Sequence, residues 1–254
     1  MRRRRRQEMD ATAYRGLLEE GLASLGVEAE PGGVEAVLLH LDLVREWNER
    51  MNLTAITDPQ EMVIKHALDA ASGLAVAGVE PGQRVIDVGT GAGFPGVVWK
   101  CLRPGIDLTL LESLQKRCRF LEEVGQAVIG PLAGGEGYQV VWGRAEDVGR
   151  NPAHRERYDL VTARAVAELR VLAEYCLPLA RVGGRFLAMK GPSVGEEILA
   201  AEAAVEKLGG RLEEVRELEL PDGGGRRSLV LIRKERPTPK AYPRRAGVPA
   251  KSPL

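Results

Sequence analysis

Between residues 12 and 78 the apolar positions recur at the spacing that gathers them on one face of a helix. Leu38, Leu41, Leu43, Val44 and Trp47 form the clearest such stripe. Thr57-Asp58-Pro59 predicts a second helical start, a capping side chain followed by proline in the first turn. That helix turns Met62, Val63, Ala67 and Leu68 inward and carries Lys65, His66 and Asp69. From residue 84 the period shortens. Arg84–Val88, Asp107–Glu112, Gln139–Trp142, Tyr158–Thr162 and Gly184–Met189 read as short β-type runs alternating with helical ones, the pattern of a parallel sheet wrapped by helices. Leu212–Leu220 and Ser228–Arg233 are joined only by residues 221–227, too short for a helical crossover, so they are expected to pair antiparallel.

A chain of 254 residues with 44% hydrophobic content can bury one sizeable core and a small appendage. Lys plus Arg and Asp plus Glu are both 36, so a polyanionic partner has to be met by local basic patches. Two lie at the termini. Arg2 to Arg6 is unbroken, and residues 236–254 carry Arg236, Lys240, Arg244, Arg245 and Lys251 with no acid and with five prolines. The expectation for this tail is an extended cationic strap, without a helix, suited to phosphates. The divisions expected are a basic extension over 1–11, a helical region over 12–80, a core over 81–235 and the tail over 236–254. Cys101, Cys118 and Cys176 are odd in number and scattered, against a disulfide framework or a zinc site and in favour of a reducing cytoplasm. The arginine run leads into Gln7-Glu8-Met9-Asp10, unlike a signal peptide, and no apolar run reaches spanning length. His40 and His154 read as structural histidines.

The stretch VGTGAGFPG, residues 88 to 96, admits two registers. Gly91, Gly93 and Gly96 spell the G-x-G-x-x-G of dinucleotide sites, whereas Asp87, Gly89, Gly91 and Gly93 spell the loop of S-adenosylmethionine enzymes. Both need glycine for positive φ and close backbone approach. Asp87 at a strand end favours the second, because a carboxylate there suits the ammonium of a methionine moiety and repels a pyrophosphate at a helix start. The terminal hairpin agrees, since a dinucleotide dehydrogenase continues with another parallel unit. The fold class expected is therefore α/β, a class I S-adenosylmethionine-dependent methyltransferase: a Rossmann-like doubly wound sheet, mostly parallel with a C-terminal antiparallel hairpin, plus N-terminal helices. Glu112, followed by Ser113, ends the next strand and can accept hydrogen bonds from ribose hydroxyls, a feature NAD sites share. Ala145-Glu146, just after the third strand, can offer an acceptor to an adenine amino group.

The chain also resembles a known family. Glu46-Trp47-Asn48, Asn52-Leu53-Thr54, Lys65-His66-x-x-Asp69, the Asp87–Gly96 loop, Glu112-Ser113-Leu114 with Lys116-Arg117, Arg144-Ala145-Glu146, Thr162-Ala163-Arg164-Ala165-Val166-Ala167, Lys190-Gly191 and Tyr242-Pro243-Arg244-Arg245 occur in order. Together they are similar to the bacterial 16S rRNA guanine-N7 methyltransferases, also called glucose-inhibited division protein B, from about residue 12 to the end. Ala70 departs from the serine frequent in the family, and Arg2 to Arg6 is not a family element. The resemblance implies transfer of the sulfonium methyl to N7 of a guanine in the decoding region of small-subunit rRNA. It further implies S-adenosylmethionine as cofactor and 16S rRNA, within the small subunit or an assembly intermediate, as partner, with neither membrane nor metal.

The residues are compatible with that chemistry. Guanine N7 holds an in-plane lone pair, so methylation needs positioning more than a base. Exocyclic amine methylation generally uses an Asn/Asp-Pro-Pro-aromatic loop after the fourth strand, where this chain reads Thr162-Ala163-Arg164-Ala165. Pyrimidine C5 methylation needs a nucleophilic cysteine, and none of the three lies in a matching loop. Arg164 faces the cofactor crevice in this reading, and its guanidinium can serve the cofactor or fork onto guanine O6. A structural salt bridge is the alternative. Lys190 is a candidate for a phosphate or O6, His66 and Asp69 share a face that either closes the pocket or forms a buried structural pair, and Phe94 packs on the methionine or adenine portion or in the core. An NAD(P)-dependent oxidoreductase, a methyltransferase of another substrate and a non-catalytic RNA-binding assembly factor remain as other readings.

Overall fold

The computed structural model describes residues 11–133 and 136–254, so the Arg2–Arg6 run lies outside the described residues. Helices α1 (Ala11–Ser24) and α2 (Gly33–Asn48) open the chain, and the predicted stripe of α2 packs as its spacing requires, with Leu41 and Val44 fully buried. Helix α3 (Pro59–Met62) starts where the cap was expected: the Asp58 carboxylate accepts a hydrogen bond from the Glu61 amide at 2.9 Å, and Pro59 needs no donor there. One feature was not legible. The helix widens into a π turn over Val63–Leu68 before α4 (Asp69–Ser72) and α5 (Leu74–Ala77). Such an inserted residue is a common device for re-aiming side chains at sites.

Seven strands form one sheet in the order β3-β2-β1-β4-β5-β7-β6. They are β1 (Arg84–Val88), β2 (Asp107–Glu112), β3 (Tyr138–Trp142), β4 (Tyr158–Arg164), β5 (Ala180–Lys190), β6 (Gly210–Leu220) and β7 (Gly225–Lys234). The first five are parallel, and β7 runs antiparallel to both β5 and β6. The order reverses at β1, flanked by β2 and β4, and ligands of doubly wound sheets bind above the carboxyl ends at that point. One apolar layer packs α1, α2, the π turn, α6 (Gly96–Leu102) and α7 (Gln115–Val124) on the sheet, and the other packs α10 (Leu169–Cys176) and α11 (Gly195–Lys207). The short α8 (Gly130–Ala133) and α9 (Ala145–Val148) follow β2 and β3 respectively.

The tail departs from the expectation of an extended, helix-free strap. It ends in one helical turn, α12 (Val248–Lys251), with Pro249 in the first turn, where a missing amide costs nothing. It is also docked. The Arg155 guanidinium donates to the carbonyls of Thr238 and Tyr242 at 2.7 and 2.8 Å, and Arg150 donates to that of Pro243 at 2.7 Å. Arg244 is turned inward: its amide and guanidinium bond the fully buried Glu174, the closest contact being 2.6 Å. A carboxylate buried this deeply needs a paired cation, which takes Arg244 away from any phosphate.

Candidate active site

A cavity of about 390 Å³ opens above the switch point, between the loop after β1 and the π turn. Its wall includes His66, Asp69, Gly91, Phe94, Arg117 and Arg164. The loop is built around glycine. Gly91 has φ +61°, and a Cβ there would meet only the Gly89 carbonyl at 4.0 Å, so the loop leaves open space on the cavity side. Gly96 serves a different need, because a Cβ at that position would lie 3.0 Å from the Asp87 carboxylate.

Asp87 sits beneath this loop with no exposed surface. Its Oδ2 accepts from the Thr90 hydroxyl at 2.7 Å and the Gly96 amide at 2.9 Å, while Oδ1 is buried without a partner among the described residues. Burial raises its pKa to about 6, against the opposing pull of those two bonds and of the Arg164 charge. Glu112 is nearly as buried. Its carboxylate accepts from the Gly91 amide at 3.1 Å and the Leu114 amide at 2.8 Å and lies 3.6 Å from Arg117, so it holds both loops that meet above β1 and β2.

On the opposite wall the Phe94 ring lies between two imidazoles, His40 at 4.8 Å and His66 at 4.7 Å, with the Arg164 guanidinium 5.1 Å from its centroid. Phe94 thus belongs chiefly to the core while presenting an edge to the cavity. Burial, followed by the Arg164 charge, lowers the His66 pKa to about 3, so its ring is neutral at ordinary pH, with Nε2 2.8 Å from the Thr54 hydroxyl. His40 is neutral for the same first reason, its pKa lowered to about 4, and bonds the Ala92 carbonyl at 2.8 Å. Arg164 bonds the Asp69 carboxylate at 3.0 Å and the Lys65 carbonyl at 3.2 Å, both through Nη1. The structural salt bridge and the place in the cavity wall therefore coexist in one residue.

Of the residues read as site candidates, Gly89, Gly91, Phe94, His66 and Arg164 line the cavity, Asp87, Gly93 and Glu112 stand directly behind its wall, and four lie away from it. Lys190 bonds the Ala167 carbonyl and the Glu197 carboxylate, each at 2.8 Å, so its ammonium fastens the loop after β4 instead of facing the cavity. The Glu146 carboxylate is buried and accepts from the Gly247 amide of the tail at 2.7 Å, and Ala145 stands beside it outside the cavity wall. Ser113 is exposed, and its carbonyl accepts from the Trp142 indole at 3.0 Å. Three further side chains bear on the cavity or its supports, and His40 among them is the structural histidine expected. Arg117 was visible only as part of a motif, His40 looked like any histidine on an apolar helix face, and Arg227, which reaches Asp69 at 2.9 Å, gave no signal at all.

The unpartnered Oδ1 of Asp87 and the open space at Gly91 fit the amino-acid end of S-adenosylmethionine, and Glu112 stands at the strand end where a ribose is held. Fold and crevice together define a class I S-adenosylmethionine-dependent methyltransferase. The sequence matches rRNA small subunit methyltransferase G over residues 34–230. It is 51% identical over 237 residues to the ribosomal RNA small subunit methyltransferase G of Pelotomaculum thermopropionicum, covering 93% of this chain and 97% of that one. Identity to the protein of the same name from Alkaliphilus metalliredigens is 45% over 238 residues, with 94% and 98% covered. The chain belongs to this family. Among solved structures, the YcgJ protein of Bacillus subtilis matches with a TM-score of 0.50 and 15% identity, over 67% of this chain and 100% of that chain, which concerns the fold alone. No helix among the described residues is long and apolar enough to cross a membrane.

Proposed function

We propose that this protein transfers a methyl group from S-adenosylmethionine to N7 of a guanine in 16S rRNA, presented within the small subunit or an assembly intermediate. The observation that carries the reading is a crevice equipped to position and not to abstract a proton. Asp69, which lines the cavity, is taken up by two arginines, Glu112 is taken up by two backbone amides beside Arg117, Asp87 lies beneath the glycine loop on the side assigned to the ammonium of the cofactor, and His66 is too weakly basic to accept a proton at neutral pH. Cys101, Cys118 and Cys176 are buried, and burial raises each thiol above its ordinary range, which supplies no thiolate nucleophile. Among ring positions of the bases, N7 of guanine is accessible without either aid.

S-adenosylmethionine supplies a methyl group on a sulfonium, open to in-line displacement. Asp87 would hold the ammonium through Oδ1, the amides around Gly91 would approach the amino-acid moiety, and Glu112 would accept from the ribose. Arg164 would present a guanidinium to the carboxylate of the cofactor or to O6 of guanine, beside the part of the wall that Phe94 and His66 form. Transfer forms the N7–carbon bond and leaves the sulfur–carbon electron pair on sulfur, so no proton has to move. The test is incubation of small subunits lacking the modification with labelled cofactor, followed by mass mapping of 16S rRNA. One N7-methylguanine is expected. Label on an exocyclic amine, on a pyrimidine, or on no RNA would overturn the reading.

A further inference from the structure

Asp69 sits at the first turn after the π helix with both carboxylate oxygens engaged from opposite directions. Oδ2 accepts from Arg164 Nη1 at 3.0 Å and Oδ1 from Arg227 Nε at 2.9 Å. All three side chains are at least four-fifths buried, at 15% exposure for Arg164, 10% for Asp69 and 20% for Arg227. The three come from distant parts of the chain: Arg164 ends β4, Arg227 lies near the start of β7, and Asp69 follows the turn that carries His66. The hairpin between β6 and β7 also packs directly on that turn, since a Cβ on Gly224 would lie 2.5 Å from the Ile64 side chain.

Two arginines on one carboxylate differ physically from one. A buried Arg164–Asp69 pair alone is net neutral, and a carboxylate held at one oxygen fixes the direction of the guanidinium less firmly than one held at both. With Arg227 on the other oxygen the carboxylate plane is fixed, and the triad carries one net positive charge. The Arg164 charge itself reaches groups around the cavity, helping to lower the His66 pKa and opposing the rise at Asp87. Arg227 does not line the cavity. We propose that Arg227 is a positioning residue for methyl transfer, acting through Asp69 to aim the Arg164 guanidinium and to leave the buried cluster a net positive charge beside the ligands in the crevice. This inference rests on the methyltransferase reading above and assigns the C-terminal hairpin a part in it.

The experiment is a mutant cycle of Arg227→Gln, Arg164→Gln and the double variant, with Arg227→Lys as the conservative partner. Four quantities are measured: kcat and KM on small subunits, cofactor affinity by calorimetry, and melting temperature. Whichever of kcat, KM or cofactor affinity Arg164→Gln alters, Arg227→Gln is expected to alter in the same sense. A loss of about ten- to hundredfold in kcat is expected, because a misdirected group near the chemistry costs that much. Placed on the Arg164→Gln background, the same change should cost no more than about twofold, the signature of two residues acting as a unit. Arg227→Lys should restore most of the loss. Independent effects in the two backgrounds, or full kcat with only a lower melting temperature, would make Arg227 a structural residue and overturn the proposal. If the wild-type protein makes no N7-methylguanine, the parent reading fails, and that result is distinct from either outcome of the cycle.

Discussion

Gly91 and Gly96 stand five positions apart in one loop, yet their substitutions separate binding from folding. At Gly91 a methyl group enters open space, and the strain of a left-handed backbone costs about 1–2 kcal/mol. Gly91→Val is therefore expected to leave the protein folded while abolishing cofactor binding, read by calorimetry beside a melting curve. Gly96→Ala places its Cβ 2.6 Å from Leu110 and against Asp87, so the melting temperature should fall first. Asp87 gives a pH prediction. Its folded pKa of about 6 exceeds the unfolded value, so the stability it contributes is present below the unfolded pKa and is lost as pH rises through about 6. Cofactor binding requires the opposite form. An ammonium bound at Oδ1 needs the carboxylate, so affinity should climb up to about pH 6 and stay level above it, by at most about tenfold per unit. A titration that is flat in the wild type, or that keeps its slope in Asp87→Asn, would place the ammonium elsewhere.

At the scale of elements, the regular pieces were readable because each is set by neighbours in sequence. The strands β1 and β2 coincide with the β-type runs Arg84–Val88 and Asp107–Glu112, and the hairpin follows from a connection too short to cross over. The Asp58 cap is as local, and Asp58→Ala should cost about 1 kcal/mol in denaturant unfolding without changing cofactor affinity, since only the start of α3 depends on it. A larger effect on binding would mean that the cap also sets the π turn. Contacts closed by topology were not readable. Arg227 meets Asp69 across 158 residues and Gly247 meets Glu146 across 101, and nothing in either local pattern singles out the partner. Lys190 illustrates the same limit in reverse. Its place at the end of β5 suggested a ligand, but the first turn of α11 brings Glu197 to its ammonium. Sequence reading thus located the loop, Glu112, Arg164 and the shared face of His66 and Asp69, while the division of labour among charged side chains had to await their partners.

For the whole molecule, the docked tail changes what its basic residues can do. Arg244 compensates Glu174 inside the fold, and Gly247 bonds Glu146 beside the third strand, so the strap is continuous with the core. Lys240, Arg245 and Lys251 remain exposed on its outer side. Two variants separate these roles. Arg244→Ala leaves a buried carboxylate unpaired, which costs about 3–5 kcal/mol, and should depress the melting temperature and weaken cofactor binding through the loosened strap. The triple change of Lys240, Arg245 and Lys251 to glutamine should do neither. It should weaken RNA binding and flatten the dependence of log affinity on log salt by roughly 0.7–0.9 for each phosphate that is no longer neutralised. Salt titrations against small subunits, run beside calorimetry with the cofactor, make the comparison. If the triple variant keeps the wild-type slope, the outer face of the strap touches no phosphate, and the tail serves the fold alone.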